Sequence, residues 1–424
     1  MSHVASNLAT IPDPANLVTL VVNGEEYGGW KAVRIEAGIE RQARSFDLSV
    51  TDRWPGQTDI PRRIRPGDLC QVFIGNDLVL TGFVDATPIR YDGNAVGVGV
   101  KGRSKTADLV DCCPVPTGEA TAAGDGGMWK DVVGPDGKKP NVVKPPPKTA
   151  NQWRNQKLEV IAAALAAPYG VRVIAEVDTG RAIPEHQVDV GETVFESIDR
   201  MMRIRHVLST DNEKGDLVFI DVGSAGRAAT PVELGVNILE GDTQLDYKGV
   251  FSEYIVKGQR AGSDDAFGAD ASEEEGVSRE TRRTTVTGDT ATARDARAPR
   301  RRVLVIKQSG QADDGTCQER AEYEKAYRAA KALETRYTII GWRQADGSLW
   351  VQNQIVRVVD GLIGFDADMV IAELAYVMDD RGLRTEIKVG PPDGYRSKAG
   401  TLKPEKRQKG GGYDKSDVGW RDVR

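Results

Sequence analysis

"GWRQADGSLWVQNQIVRVVD", Gly341 to Asp360, sets two tryptophans around an Asp-Gly pair and follows them with alternating valines. Asp346-Gly347 favours a two-residue turn, because such turns need positive φ and glycine adopts it without strain. That register puts Trp342 opposite Val351 and Trp350 opposite Arg343, both good cross-strand pairs. Ile355, Arg357 and Val359 then share one face and Val356 and Val358 the other. The stretch predicts a long hairpin within a larger sheet, and it carries no arrangement of His, Cys or Ser that could do chemistry.

The same grammar fills residues 17 to 111. "LVTLVV" runs into an Asn23-Gly24 turn, and "SFDLSV" puts Phe46, Leu48 and Val50 on one face. "GDLCQVFIGNDLVLTGFV" predicts a hairpin turning at Gly75-Asn76, and "IRYDGNAVGVGVKG" another at Asp92-Gly93. Short strands with turns so regularly spaced predict an antiparallel barrel or sandwich.

Composition changes at 113 to 150, where "PVPTGEATAAGDGGMW" and "GPDGKKPNVVKPPPK" are too rich in Pro and Gly for regular pairing. Residues 151 to 222 predict a small α/β unit. Its first helix carries Leu158, Ile161, Ala162 and Leu165 on one face and is stopped by Pro168 and Gly170. Thr193 and Glu196 form a capping box before a second helix with Val194, Ile198, Met201 and Met202 at helical spacing.

Strands resume from 235 to 395. Thr316 and Glu319 predict a capping box that opens "CQERAEYEKAYRAAKALETRY", and Ala326, Ala329, Ala330 and Leu333 give that helix a narrow face for close docking. A charged insert at about 262 to 300 is acidic first ("DDAFGADASEEE") and then arginine-rich, which predicts a mobile loop. A weak repeat links "FVDATPIRYDGNAVGVGVKG" with "VIAELAYVMDDRGLRTEIKVG", so two barrels of one design flank the α/β unit.

The 424 residues suffice for two to four domains, and 46 glycines suit a turn-rich chain. A net charge of −6 gives no sign of a general nucleic-acid binder. "MSHVASNLATIPDPANL" has no signal-peptide pattern, and "VIAAALAA" is far shorter than the roughly 20 residues of a membrane span. The expectation is a protein made in a cytosol, with no membrane span. Cys70, Cys112, Cys113 and Cys317 include no CxxC; the adjacent pair is read as two buried small residues at a strand end.

Candidate chemistry is thin. Gly97, Gly99 and Gly102 spell a dinucleotide-binding string but lie inside an alternating strand, where close packing accounts for them. His3, His186 and His206 have no nucleophile or metal-ligand partner at useful spacing and read as surface or helix-end residues. Carboxylate pairs such as Asp313-Asp314 and Asp379-Asp380 fall at turns and helix starts, where Asp is favoured for backbone reasons. The reading therefore assigns no catalytic residue, no cofactor and no metal. It does single out the tail "RSKAGTLKPEKRQKGGGYDKSDVGWRDVR" (396 to 424), a flexible basic segment whose Tyr413 and Trp420 are candidate partner-binding anchors.

Several long strings resemble one family, the baseplate hub proteins of Mu-like contractile-tailed phages. They are "LVTLVVNGEEYGGWKAVRIEAGIERQARSFDLSVTDRWPG", "VKGRSKTADLVDC", "GETVFESIDRMMRIRHVL", "FSEYIVKGQRAGSDDAFG" and "YTIIGWRQADGSLWVQNQIVRVVDGLIGFDADMVIAEL". The resemblance covers about residues 17 to 395. It implies a fold that is mainly β with α+β: two similar antiparallel β-barrel, tail-tube-like domains plus a small α/β domain. The expected division is 1–112 for the first barrel, 113–150 for a loop or linker and 151–225 for the α/β domain. The second barrel with its insert takes 226–395, and the tail 396–424. The resemblance further implies a homotrimer whose pseudo-sixfold ring joins the hexameric tail tube, or a tube-side adaptor, to the trimeric central spike. Other baseplate proteins would be neighbours, tape-measure protein would occupy the channel, and DNA would be met only in transit. The chain would reside in the virion, at the tail baseplate, after assembly in the host cytoplasm. The alternatives from other classes are a tail-associated cell-wall hydrolase on a hub scaffold and a nucleic-acid-binding module.

Overall fold

Alternation of apolar and polar residues builds the first strands of the computed structural model, which describes residues 13–52, 64–91, 96–114, 141–145, 151–205, 207–243, 246–259, 290–295, 300–311 and 314–395. They are β1 (Val18–Val22), β2 (Glu25–Tyr27), β3 (Ala32–Gly38), β4 (Ser45–Asp52), β5 (Leu69–Ile74), β6 (Asp77–Ala86), β7 (Ile89–Tyr91) and β8 (Val96–Ser104). They pair antiparallel in the order β2-β1-β5-β6-β8-β4-β3, with β7 beside β8. Leu20 and Val22, Val33 and Ile35, Phe46 and Leu48, and Val72 and Ile74 are buried at every second position. The β1–β2 turn is the one the Asn-Gly pair predicts, with Asn23 at φ 52° and Gly24 at 83°. The β5–β6 turn likewise falls at Gly75-Asn76. The Asp92-Gly93 turn lies outside the described residues. Gly97, Gly99 and Gly102 are sheet residues of β8: a Cβ on Gly102 would stand 2.3 Å from the Phe83 carbonyl and 2.6 Å from the Phe46 ring.

After β8 comes a short helix that the sequence reading missed, α1 (Ala107–Asp111). The adjacent cysteines follow it, Cys112 half-buried and Cys113 exposed, so they are neither at a strand end nor both buried. The α/β part contains β9 (Gln152–Gln156), α2 (Leu158–Ala166), β10 (Val173–Ala175), β11 (Ile183–Gln187), α3 (Val194–Arg205), β12 (Leu208–Asp211) and β13 (Leu217–Ile220). Helix α2 is buried on more than one face, and Gly170 behind it takes φ 65°. The capping box of α3 is reciprocal: Glu196 N–H donates to Thr193 Oγ1 at 3.2 Å, and Thr193 N–H to Glu196 Oε2 at 2.8 Å. The helices pack with β10-β13-β12, while β9 and β11 form a separate antiparallel pair that the sequence did not announce. Val142 bridges Ile174, so the end of the Pro/Gly-rich stretch is itself extended and paired.

Downstream lie β14 (Val232–Glu233), β15 (Ile238–Thr243), β16 (Glu253–Gln259), β17 (Thr290–Arg294), β18 (Val303–Gln311), α4 (Asp314–Lys331), β19 (Thr335–Ile340), β20 (Ile355–Asp360), β21 (Phe365–Asp379) and β22 (Gly382–Gly390). Two expectations change here. The region read as an insert ends in a strand, β17, which pairs antiparallel with β16 and buries Ala293. Helix α4 begins at Asp314, so Thr316 lies within it and is no N-cap. The small-residue face does permit close docking: a Cβ on Gly394 would fall 1.9 Å from Ala330 Cβ.

The opening stretch also resolves differently. Gly347 N–H donates to Gln344 O at 3.0 Å and Gln344 N–H to Ser348 O at 2.7 Å, which closes a three-residue loop, Ala345 to Gly347. The register therefore shifts by one and Trp342 opposes Trp350. The hairpin is short; β20 leaves it to pair with β21 and, in parallel, with β14.

The chain forms two compact units, one of residues 1–224, 338–353 and 372–387, the other of 225–337, 354–371 and 388–424. In the first, residues 373–378 of β21 add to the sheet beside β3. The fold is mainly β, with antiparallel sheets and a small α/β part. Among the described residues no helix is long and apolar enough to cross a membrane.

Candidate assembly interface

Strand register decides which side chains the first unit offers to solvent. Arg34 lies opposite Asp47, Asp47 opposite Lys101, and Ser45 opposite Arg103, so these residues share one face of the sheet. The opposite face is core. On the solvent face the charges pair in sequence: Arg34 with Glu386 at 3.0 Å and with Glu36 at 2.6 Å, and Lys101 with Asp47 at 2.6 Å. Arg103 reaches both Asp85 and Asp111 at 2.7 Å. Partial burial works against the Glu36 charge, but hydrogen bonds from Arg41 and Arg34 outweigh it and hold the carboxyl below its usual range. The Arg103 hydrogen bond lowers the Asp111 carboxyl in the same way. Exposed pairs of this kind add little stability. What they produce is a solvated surface on which opposite charges are largely paired.

Beneath lies a buried polar joint between the first sheet and the α/β part of the same unit. Arg44 donates from its backbone N–H to Asp211 Oδ2 at 2.9 Å, from Nη2 to Asp211 O at 3.1 Å and from Nη1 to Val79 O at 2.9 Å. Thr106 Oγ1 donates to Gln42 O at 2.8 Å, Ser209 Oγ to Gln42 Oε1 at 2.8 Å, and Thr210 Oγ1 to Gly38 O at 2.9 Å. Burial pushes the Asp211 carboxyl upward, and the Arg44 guanidinium pulls against it. These bonds tie the α/β part to the sheet, with Gln42 Nε2 left buried without a partner.

The histidine expectation needs correction. His186 is buried at 6% exposure, stands 5.9 Å from the Trp153 ring and bonds through Nε2 to Ser197 Oγ at 2.9 Å. Its partner could not be seen in the sequence because β11 and α3 bring the two together. Ser197 is fully buried on α3, so the pair has no opening to a substrate and is a packing contact. Burial first, and Arg200 second, push the imidazole pKa down to about 4. His3 and His206 lie outside the described residues. No group of three or more His, Cys, Asp or Glu among the described residues could hold a metal ion. Tyr413 and Trp420 also lie outside the described residues.

In the second unit, β14 and β20 run parallel, with Val232 opposite Val358, so the turns that follow them leave side by side. Leu234 N–H donates to Val359 O at 3.0 Å, and Asp360 Oδ1 accepts from Leu362 N–H at 2.9 Å. Tyr337 O–H donates to the other oxygen of Asp360 at 3.0 Å. These bonds brace two turns that hold Leu234, Val236 and Leu362 out in solvent. Exposed aliphatic side chains on two neighbouring turns are a candidate contact surface. Nothing in the sequence sets these three residues apart, because only the parallel pairing of β14 with β20 brings their turns together.

Comparison with known proteins places these features in context. Residues 17–104 match the model described as Mu phage baseplate assembly protein GpP-like, N-terminal, and residues 145–221 the second domain of baseplate hub protein gp44-like. Residues 314–398 match the fourth domain of Mu phage baseplate assembly protein GpP. The chain is 31% identical to baseplate hub protein gp44 of Escherichia phage Mu over 90% of this chain and 89% of the relative. Its fold is similar to that of the 43 kDa tail protein of prophage MuSo2 from Shewanella oneidensis, with TM-score 0.69 and 27% identity over 90% of this chain and 99% of that one. A tail protein from Neisseria meningitidis MC58 shares the fold, with TM-score 0.67 and 18% identity over 90% of this chain and 98% of that one.

Proposed function

The chain belongs to the family of baseplate hub proteins of Mu-like phages, a structural part of the tail, and from that premise we propose that it is the trimeric centre of a contractile-tail baseplate. In this reading three copies form a pseudo-sixfold ring that joins the hexameric tail tube, or a tube-side adaptor, to the trimeric central spike. Two similar β-rich domains per chain give six wall units from three chains, which is how a threefold object can mate with a sixfold one. The ring sits in the virion, is built in the host cytoplasm, and contacts other baseplate proteins at its rim. It lines the channel that tape-measure protein occupies and DNA crosses. It performs no catalysis.

The observation that carries the reading is the extent of likeness to the Mu hub protein, 31% identity along 90% of the chain, which spans both β-rich parts and the α/β part. The charge-paired face of Arg34, Asp47, Lys101 and Arg103 supports the channel role, because a wall must let an acidic polymer slide without holding it. The division into 1–112, 113–150, 151–225, 226–395 and 396–424 is part of the proposal, and the three model matches support it. So is a docking role for the tail on the spike through Tyr413 and Trp420.

Counting copies by electron cryo-microscopy of whole tails tests the ring. Three at this level are expected; one or six overturns it. For the tail, a stop after Arg396 leaves the ring and lowers spike occupancy, and Trp420→Ala gives part of the same loss. Normal spike occupancy in the truncated tails removes the docking role.

A further inference from the structure

The contact between successive copies has a location that the structure can name, and this inference rests on the ring reading above. In a ring with two similar domains per chain, first and second domains alternate. Every contact between copies therefore sets the second domain of one beside the first domain of the next. The complementary surfaces must lie one in each unit.

In the first unit, β7 is bonded only to β8 among the described residues and presents Ile89 at 56% exposure, Tyr91 at 82%, and the exposed Arg90 between them. In the second unit, β15 stands last in its strand order, with its residues exposed along most of its length. It carries Leu239 at 51% exposure, and the turn before it adds Leu234 at 40% and Val236 at 65%. The stretch from Val232 to Asp246 holds Glu233, Glu240, Asp242 and Asp246 and no Lys or Arg. One edge is apolar with a single arginine, Arg90, and is followed in sequence by Asp92; the other is apolar and acidic. Neither β7 nor β15 itself contains the lysine or proline that commonly blunts a free strand edge, although Pro88 directly precedes β7.

We propose that β15 and its preceding turn in one copy dock on the β7 edge of the next. Backbone groups of the two edges pair, as in strand addition, and give the contact its reach. Leu234, Val236 and Leu239 cover Ile89 and Tyr91. Arg90 meets Glu240 and Asp242, which selects this partner edge over β2, whose Glu25 and Glu26 would repel the same acidic strand. The two surfaces differ, so the contact is head-to-tail, and it closes when the third copy reaches the first.

Cross-linking of the full chain tests the contact. Tyr91→Cys and Leu239→Cys are combined in a Cys112→Ser, Cys113→Ser background and treated with a short bis-maleimide. The expected result is a ladder that ends at a covalent trimer, while an equal mixture of the two single variants stops at covalent dimers. A native trimer mass with no cross-link overturns the contact and leaves the ring standing. A ladder beyond three overturns the closed geometry. A monomer at every concentration, with tails that hold one or six copies, overturns the ring and the contact together. As a second arm, Arg90→Glu weakens the trimer about tenfold and Glu240→Lys with Asp242→Lys restores it; an unchanged trimer in Arg90→Glu overturns the contact.

Discussion

Trp342 and Trp350 oppose each other across the short hairpin, the Trp350 amide donating to the Trp342 carbonyl at 3.1 Å, and both side chains are only 1% exposed. Their indole nitrogens have different fates. Trp342 Nε1 donates to Val377 O at 3.2 Å and Arg384 O at 3.0 Å, whereas Trp350 Nε1 is buried without a partner.

That difference predicts unequal substitutions. Trp342→Phe loses a shared hydrogen bond and costs about 1 to 3 kcal/mol, while Trp350→Phe costs less because no bond is lost. Replacing either with Ala costs about 3 to 5 kcal/mol through the cavity left behind. Urea denaturation of the four variants checks the order, and equal losses for the two Phe variants would contradict it.

The Arg44–Asp211 joint predicts strong coupling. Asp211→Ala leaves a buried guanidinium without its carboxylate and costs about 3 to 5 kcal/mol. Arg44→Met combined with Asp211→Leu costs less than the sum of the single changes, because no charge is then left alone. A double-mutant cycle reads this directly, and additivity within about 0.5 kcal/mol would show that the two do not interact.

His186 gives a pH dependence. Its folded pKa, about 4, lies below the unfolded value of about 6.5, so between the two the unfolded chain binds more protons. Stability from keeping the ring neutral is fully present above about pH 6.5 and is lost as pH falls toward 4. His186→Gln removes this titration. Melting curves of both proteins between pH 7 and pH 4.5 should converge as the pH falls, and parallel curves would count against the assignment.

Strand β17 fixes where the charged stretch can be cut. Excising 264–288 leaves β16 and β17 whole, and the expected outcome is a melting temperature that moves little, since the entropy of closing a chain segment varies slowly with its length. Excising 264–298 also removes β17 and uncovers the cluster of Tyr254, Val256, Cys317 and Ala321, which lowers it clearly. Equal melting temperatures for the two deletions would show that β17 contributes nothing to the core.

Local rules carried far in this chain. The Asn23-Gly24 turn was legible because only positive φ closes it, and the burial of Phe46 and Leu48 because period two matches the pleat. The Thr193–Glu196 box was legible because its two bonds are local. The Asp346-Gly347 register was not: the turn preference allowed a two-residue loop, whereas the observed three-residue loop sets Trp342 opposite Trp350 with both indoles buried. Nor could sequence pair Arg44 with Asp211, which stand far apart along the chain, or His186 with Ser197, which are close in sequence but meet only through the packing of a strand against a helix. The candidate contact surface at Leu234, Val236 and Leu362 stayed hidden because its residues come from two separate turns. Its residues are unremarkable singly and gain meaning from the parallel β14–β20 pair that sets them together.

Strand β3, made early, finds its partner in residues 373–378, and the unit that contains both is also closed by 338–353. During synthesis the first unit therefore waits for sequence more than 300 residues downstream. A ribosome that stops before residue 372 releases a chain whose β3 edge has no neighbour, and such long-range pairing folds slowly even when complete. Only a polypeptide made past residue 387 holds every segment of the first unit, so a chain cut short of that point cannot complete its sheet.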